Sequence, residues 1–110
     1  MTQPVTAIRN IGPASAALFA RAGITTAEQL RRLGPDEAYR RCLAAGTRPH
    51  FIGYYALVMG LHGRPWNDCK GAEKAALRKR FDEIVAEAHD PVQSQLESAL
   101  NLLGVVAPRQ

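Results

Sequence analysis

The segment Phe51–Leu61 places the tightest limit on how this chain can fold, because it is apolar on nearly every side. It carries no charged residue and is the longest uncharged apolar run in the sequence. At 11 residues it is much shorter than the roughly 20 residues that a helix needs to cross a bilayer. We therefore predict a buried central helix over residues 50–61 rather than a membrane span.

Helical patterns continue through the rest of the 110 residues, and no segment alternates as a half-buried strand does. Glycines and prolines separate these patterns at Gly23, Gly34-Pro35 and Gly46, where helices are expected to end. The predicted helices before the central one cover residues 4–8, 13–22, 27–33 and 35–45. The sequence thus predicts an all-α fold, a compact multi-helix domain.

Two glycine–proline turns, Gly12-Pro13 and Gly34-Pro35, each precede a helix and suggest a weak internal repeat. Between them, Thr25 or Thr26 is the expected N-cap of a helix, with Glu28 in the capping-box position relative to Thr25. Two such units are expected to pack as a pseudo-symmetric pair.

The last third of the chain predicts two amphipathic helices. The first has its apolar residues on one face, at Leu77, Phe81, Ile84, Val85 and Ala88. After Asp90-Pro91, the same spacing recurs at Val92, Leu96, Ala99, Leu100 and Leu103. We expect one domain over residues 1–90, and an additional helix and tail over residues 91–110 that packs on this domain or on a second copy.

Charge is distributed unevenly along the chain. Residues 1–80 contain 13 Lys and Arg against 5 Asp and Glu, whereas residues 81–110 contain one Arg against 5 Asp and Glu. A basic body with an acidic tail suits an anionic partner such as nucleic acid. The alternatives are a dipolar surface without a specific partner, or an acidic tail that packs against a neighbour's basic body.

The turn at Gly12-Pro13 is the strongest candidate for a binding site. Pro13 occupies the first helical position, so the backbone N–H groups of Ala14 and Ser15 are left at the positive end of the helix. Such an end can bind a phosphate, and Arg9 and Arg21 lie close enough in sequence to add charge. The alternative is a tight turn between helices with no ligand.

This turn resembles a helix-hairpin-helix DNA-binding motif, and roughly residues 7–80 resemble the C-terminal domain of the TfoX/Sxy family of bacterial competence regulators. The resemblance rests on Asn10-Ile11-Gly12-Pro13, Ser15-Ala16, Leu18, Ala22-Gly23-Ile24, Thr26, Leu30, Leu33-Gly34, Ala38-Tyr39-Arg40-Arg41, Pro49, Tyr55-Ala56-Leu57, Gly60 and Trp66-Asn67-Asp68. Asn10 stands where many helix-hairpin-helix motifs have glycine, and Ala14 where many have a basic residue. Longer family members carry another domain ahead of this one.

The resemblance implies an N-terminal helix-hairpin-helix unit and a role in transcriptional regulation of DNA-uptake genes. The two cysteines form no CxxC pair and no disulfide framework, which favours reduced thiols and a cytoplasmic protein. The residues expected to contact nucleic acid are Arg9, Asn10, Gly12, Pro13, Ala14 and Ser15. The expected partners are duplex DNA or a DNA-bound transcription factor, without any membrane. The alternative function is a protein-interaction module that forms a homodimer through its C-terminal helices.

No pattern in the sequence indicates catalysis, a metal site or a cofactor. Cys42 is expected in the core and Cys69 at the surface beside a cation, while Trp66 is expected to anchor the core. The pairs Arg31-Arg32 and Arg40-Arg41 are expected to form ion pairs within their helices, with Glu28 and Glu37 respectively. The basic stripe at Lys70, Lys74 and Arg78 is interpreted as a solvated helix face.

Overall fold

A computed structural model describes residues 2–89 of the chain, and these residues confirm the all-α class. The four α-helices of this part are α1 (Pro13–Arg21), α2 (Ala27–Ala44), α3 (Phe51–Leu61) and α4 (Gly71–His89). Short 3₁₀ helices cover Val5–Ala7, before α1, and Trp66–Asp68, between α3 and α4. None of the described helices is both long and apolar enough to cross a membrane. The predicted helix over residues 92–103 lies outside the described residues.

The start of α2 confirms one of the two predicted N-caps but not the predicted capping box. Thr26 is the N-cap, and its hydroxyl accepts a hydrogen bond from the backbone N–H of Gln29. Gln29 in turn accepts a bond from the Thr25 N–H through its side-chain oxygen. Glu28 instead accepts a bond from the Gln3 N–H, so the expectation that it completes a capping box with Thr25 was wrong. It ties the N-terminal segment to α2.

The two helices predicted on either side of Gly34-Pro35 are confirmed, because the backbone of Gly34 is not helical and α2 consists of two helical segments that meet there at a kink. Gly34 causes the kink because its φ of 80° is left-handed and not helical. Gly12, in the other glycine–proline turn, has an extended φ of −101°. The two turns share their residue types but differ in backbone geometry.

Helix α3 lies in the core, as its apolar sequence predicts. Tyr54, Tyr55, Leu57, Val58 and Met59 are all buried. The ring of Tyr54 packs against those of Tyr39 in α2 and Phe81 in α4, with centroids 5.3 and 5.9 Å away. Because aromatic rings provide large apolar areas, this cluster holds three helices together.

Within residues 2–89, two large apolar side chains remain half exposed. Ile52 in α3 and Trp66 each retain 48% of their accessible surface. The expectation that Trp66 anchors the core was therefore wrong. Its indole ring lies over Tyr55 at 6.4 Å between centroids, at the edge of the core.

The predicted apolar face of α4 is confirmed over the described residues. Leu77, Phe81 and Ile84 are buried against the other helices, and Val85 is partly buried beside them. The basic stripe on the same helix contributes to packing, because the guanidinium of Arg78 lies 5.1 Å from the Phe51 ring centroid.

Asp36 links α2 to both α3 and α4. It accepts hydrogen bonds from the Tyr54 hydroxyl at 2.5 Å and from the Arg80 guanidinium at 2.6 Å. Partial burial by itself would raise the pKa of Asp36, but the bonds from Arg80 and Tyr54 outweigh it and lower this pKa below the ordinary value of 3.8.

We expect this carboxylate to make folding depend on pH in the acidic range. Because the pKa of Asp36 is lower in the folded state, its stabilising contribution is complete above pH 3.8 and is lost as the pH falls through the lowered value. Urea unfolding from pH 7 down to pH 2.5 should show a smaller acid-induced loss of stability for Asp36→Asn than for the parent protein. Asp82→Asn, which breaks only the exposed pair with Arg78, serves as the control, and an equal change in both variants would contradict the assignment.

Candidate nucleic-acid interface

The hairpin formed by residues 8–12 connects the first 3₁₀ helix to α1. The buried side chains of Ile8 and Ile11 fix the hairpin to the core. Arg9, which lies between them in sequence, and Gly12, which follows them, are exposed. Asn10 adopts a left-handed φ of 70° and is the one non-glycine residue with positive φ among residues 2–89. Asparagine tolerates this region better than most residues, which explains how it can replace the usual glycine.

The side chain of Asn10 holds the hairpin against the rest of the domain. Its amide nitrogen donates to the carbonyl oxygen of Ala56 in α3 at 3.0 Å and to that of Arg64 after α3 at 2.9 Å. Asn10 is therefore turned toward the protein. Among the residues predicted to contact nucleic acid, Asn10 is the one whose side chain holds the hairpin in position.

A glycine in α3 allows the hairpin to approach this closely. A Cβ atom on Gly60 would lie 2.1 Å from the carbonyl oxygen of Arg9 and 3.1 Å from its carbonyl carbon. No side chain fits there, so the backbone of α3 contacts the backbone of the hairpin directly. The sequence contains the signal, a glycine within an apolar helix, but it does not indicate which segment comes close.

The N-terminus of α1 is open to solvent. Gly12 is its N-cap and provides no side-chain hydrogen bond to the first turn, and Pro13 occupies the first helical position. Gly12, Pro13 and Ala14 are exposed, and Ser15 is half buried. Apart from Gly12 and its two chain neighbours, no described residue has an atom within 4 Å of a Cβ built on Gly12. The first-turn amides of Ala14 and Ser15 are thus approachable from outside.

The second glycine–proline turn provides a useful comparison. There, Pro35 is followed by Asp36 and Glu37, whose carboxylates supply negative charge next to the turn. After Pro13 the corresponding residues are Ala14 and Ser15, which carry no charge. The first turn therefore has no acidic residue directly after its proline. An anion that approaches this turn is not repelled by a neighbouring carboxylate.

The arginines divide into two groups. Arg40, Arg41, Arg64, Arg78 and Arg80 form ion pairs, and those of Arg40 and Arg41 with Glu37 confirm the prediction. Within residues 2–89, no ion pair is found for the exposed arginines at positions 9, 21, 31, 32 and 48. The predicted pairing of Arg31-Arg32 with Glu28 is therefore not seen.

The unpaired arginines lie mainly in the N-terminal half of the domain. Arg9 belongs to the hairpin itself, Arg21 ends α1, and Arg31 and Arg32 lie in the first half of α2. Positive charge free of acidic partners on this half favours an anionic ligand there.

The cysteines have a structural role. Cys42 is buried, as predicted, and burial raises its pKa to about 11. Cys69, which the sequence placed at the surface, is only 4% exposed, and burial together with the nearby Glu73 raises its pKa. A raised pKa disfavours the thiolate, so neither thiol is activated. No cluster of potential metal ligands occurs among the described residues.

Comparison with known protein families assigns most of the chain to a family. The family model described as the TfoX C-terminal domain matches residues 1–81. No curated protein and no solved structure matches the chain. The matched region contains the hairpin and helices α1, α2 and α3, and it ends within α4.

Proposed function

The chain belongs to the TfoX C-terminal domain family, and we propose that it is a non-enzymatic regulatory module that contacts duplex DNA through its hairpin. The observation that supports this proposal is the open N-terminus of α1, uncapped by any side chain and next to an arginine without an ion pair among residues 2–89. We place the module in the bacterial cytoplasm, in the regulation of DNA-uptake genes.

In this proposal a DNA phosphate binds at the first turn of α1. The backbone N–H groups of Ala14 and Ser15 donate to its oxygens, and the helix dipole favours its negative charge. Gly12 leaves room for the sugar–phosphate backbone, and Arg9 adds a charge-assisted contact. Asn10 and Gly60 act indirectly, because they hold the hairpin in place.

Contacts of this kind do not read a base sequence, since phosphates are the same at every base pair. One hairpin reaches few phosphates, so its binding to DNA should be weak and strongly dependent on salt. A DNA-bound transcription factor is therefore the second partner that we propose, because it would provide the sequence specificity.

Substitution of Gly12 tests the phosphate site. Because Gly12 has an extended backbone and open space around its Cβ position, Gly12→Val should fold, with a stability cost of about 1 kcal/mol at the N-cap. Its affinity for a short labelled duplex should fall by about tenfold, as expected when a charge-assisted hydrogen bond is obstructed. Fluorescence anisotropy at low salt provides the measurement.

The matched control for this variant is Gly53→Ala, because Gly53 is exposed and lies in α3 rather than in the hairpin. It should bind DNA as the parent protein does. If the parent protein shows no binding even at low salt, the DNA proposal is wrong and the protein-interaction module becomes the better function.

Arg9→Ala should change the salt dependence of binding. Loss of one phosphate contact is expected to reduce the slope of log affinity against log salt by about 0.9 on duplex DNA. Arg41→Ala removes an equal charge that is already paired with Glu37, so its slope should stay near that of the parent protein. Equal slopes for all three proteins would exclude Arg9 from the interface.

A further inference from the structure

An apolar groove lies beside the hairpin, between α1, the turn after α2 and α3. Its cavity volume is about 240 Å³, and its apolar wall includes Ile11, Leu18, Phe19 and Leu57. This groove, called here the α1–α3 groove, is open on one side. Elsewhere among the described residues, most large apolar side chains are buried.

A second hollow lies next to the first, near the end of α4. Its volume is about 120 Å³, and it is lined by Leu43, Thr47, Pro49, Val85 and Ala88. Thr47 lines both spaces, so the two are neighbours. Because Val85 and Ala88 belong to the last turns of α4, the second hollow lies where the chain leaves the described domain.

The chain that follows has a sequence that suits these two spaces. It supplies 21 further residues after His89, with apolar side chains recurring at helical spacing from Val92 to Leu103. As a helix, residues 92–103 would measure about 18 Å at 1.5 Å per residue. An amphipathic helix that lays its apolar face into a groove is a common mode of recognition.

Charge favours the same occupant. The α1–α3 groove is bordered by Arg48, which forms no ion pair with any residue in the range 2–89, and by His50. Residues 90–103 contain Asp90 and Glu97 and no basic residue. Opposite charges therefore meet if this segment enters the groove.

We propose that residues 91–103 dock into the second hollow and the α1–α3 groove of their own chain. Connection to α4 beside the hollow favours this arrangement over a second copy, since the tethered segment is always present at high effective concentration. This inference goes beyond the proposed DNA contact and does not depend on it.

Paramagnetic relaxation enhancement of amide NMR signals, measured on the full chain, tests the docking. A spin label is attached to Ser94→Cys in a Cys42→Ala, Cys69→Ala background, with the amide spectrum verifying the fold. Docking predicts strong broadening of the amide signals of Thr47 and Gly53, and little change at Arg31, which lies toward the opposite end of α2.

Two further samples separate the occupants. Mixing spin-labelled chains without ¹⁵N with ¹⁵N-labelled chains without a spin label should give no broadening, because docking is within one chain. Leu96→Glu with Leu100→Glu should abolish the broadening, whereas Ser98→Glu with Asn101→Glu, which adds equal charge off the apolar face, should preserve it. Broadening in the mixed sample would assign the groove to a second copy, and absence of broadening in the first sample would leave it unfilled; either result overturns the proposal.

Discussion

Replacing Gly60 by alanine is expected to destabilise this domain far more than the same change at Gly53, the other glycine of α3. The new Cβ would lie 2.1 Å from the Arg9 carbonyl oxygen, and because that atom belongs to the backbone, no side-chain rotation can relieve the clash. The hairpin and α3 would have to separate. We expect a loss of about 3 kcal/mol, at the upper end for overpacked sites, and a melting temperature lower by roughly 15 °C.

A second glycine in the same helix provides the control for this experiment. A Cβ on Gly53 would meet only the His50 side chain, at 3.7 Å or more. Since alanine favours helix over glycine by up to about 1 kcal/mol, Gly53→Ala should be neutral or stabilising. Thermal unfolding followed by circular dichroism would compare the two, and similar melting temperatures would show that the hairpin does not press against α3.

The Gly60 substitution also connects stability to the proposed DNA contact. A displaced hairpin would move Arg9 and the N-terminus of α1 relative to each other, even in molecules that remain folded. DNA affinity should then fall more than the folded fraction does. Gly12→Val acts differently, because it obstructs the phosphate without moving the hairpin.

The sequence predicts those parts of the fold that depend on neighbouring residues. The burial of α3 follows from its own composition, and the apolar face of α4 from its spacing at Leu77, Phe81 and Ile84. The positions of helix ends follow from glycine, proline and threonine in the turns. All of these features depend on residues close together in sequence, so the spacing of apolar and turn residues predicts them directly.

The features that the sequence does not predict depend on contacts between distant segments. Glu28 has the right spacing for a capping box, but its carboxylate accepts a hydrogen bond from the N–H of Gln3, 25 positions earlier in the chain. Trp66 has a large apolar side chain typical of a core residue, but it follows Pro65 at the start of a short 3₁₀ helix and is half exposed. Neither outcome can be derived without knowing how the N-terminal segment and this turn are placed.

The candidate site shows the same division. The glycine–proline turn and its free helix end are local, so the sequence identifies Gly12, Pro13, Ala14 and Ser15 as a group. The role of Asn10 is not local, because its two acceptors lie 46 and 54 residues further along the chain. The position of Asn10 in the motif predicts a DNA contact, whereas its side chain donates hydrogen bonds within the protein.

Two variants of Asn10 are expected to separate its backbone role from its side-chain role. Asn10→Gly retains the left-handed conformation but loses both hydrogen bonds and leaves the carbonyls of Ala56 and Arg64 without this donor, which should cost about 2 kcal/mol. Asn10→Ala loses the same bonds and must also place a Cβ in the left-handed region, which adds about 1 kcal/mol. Urea unfolding should therefore rank the parent protein above Asn10→Gly and Asn10→Ala last. If alanine and glycine are equally destabilising, the φ of 70° is not required by the fold; if glycine matches the parent, the bonds to α3 do not stabilise the hairpin, and Asn10 is then available to contact DNA itself.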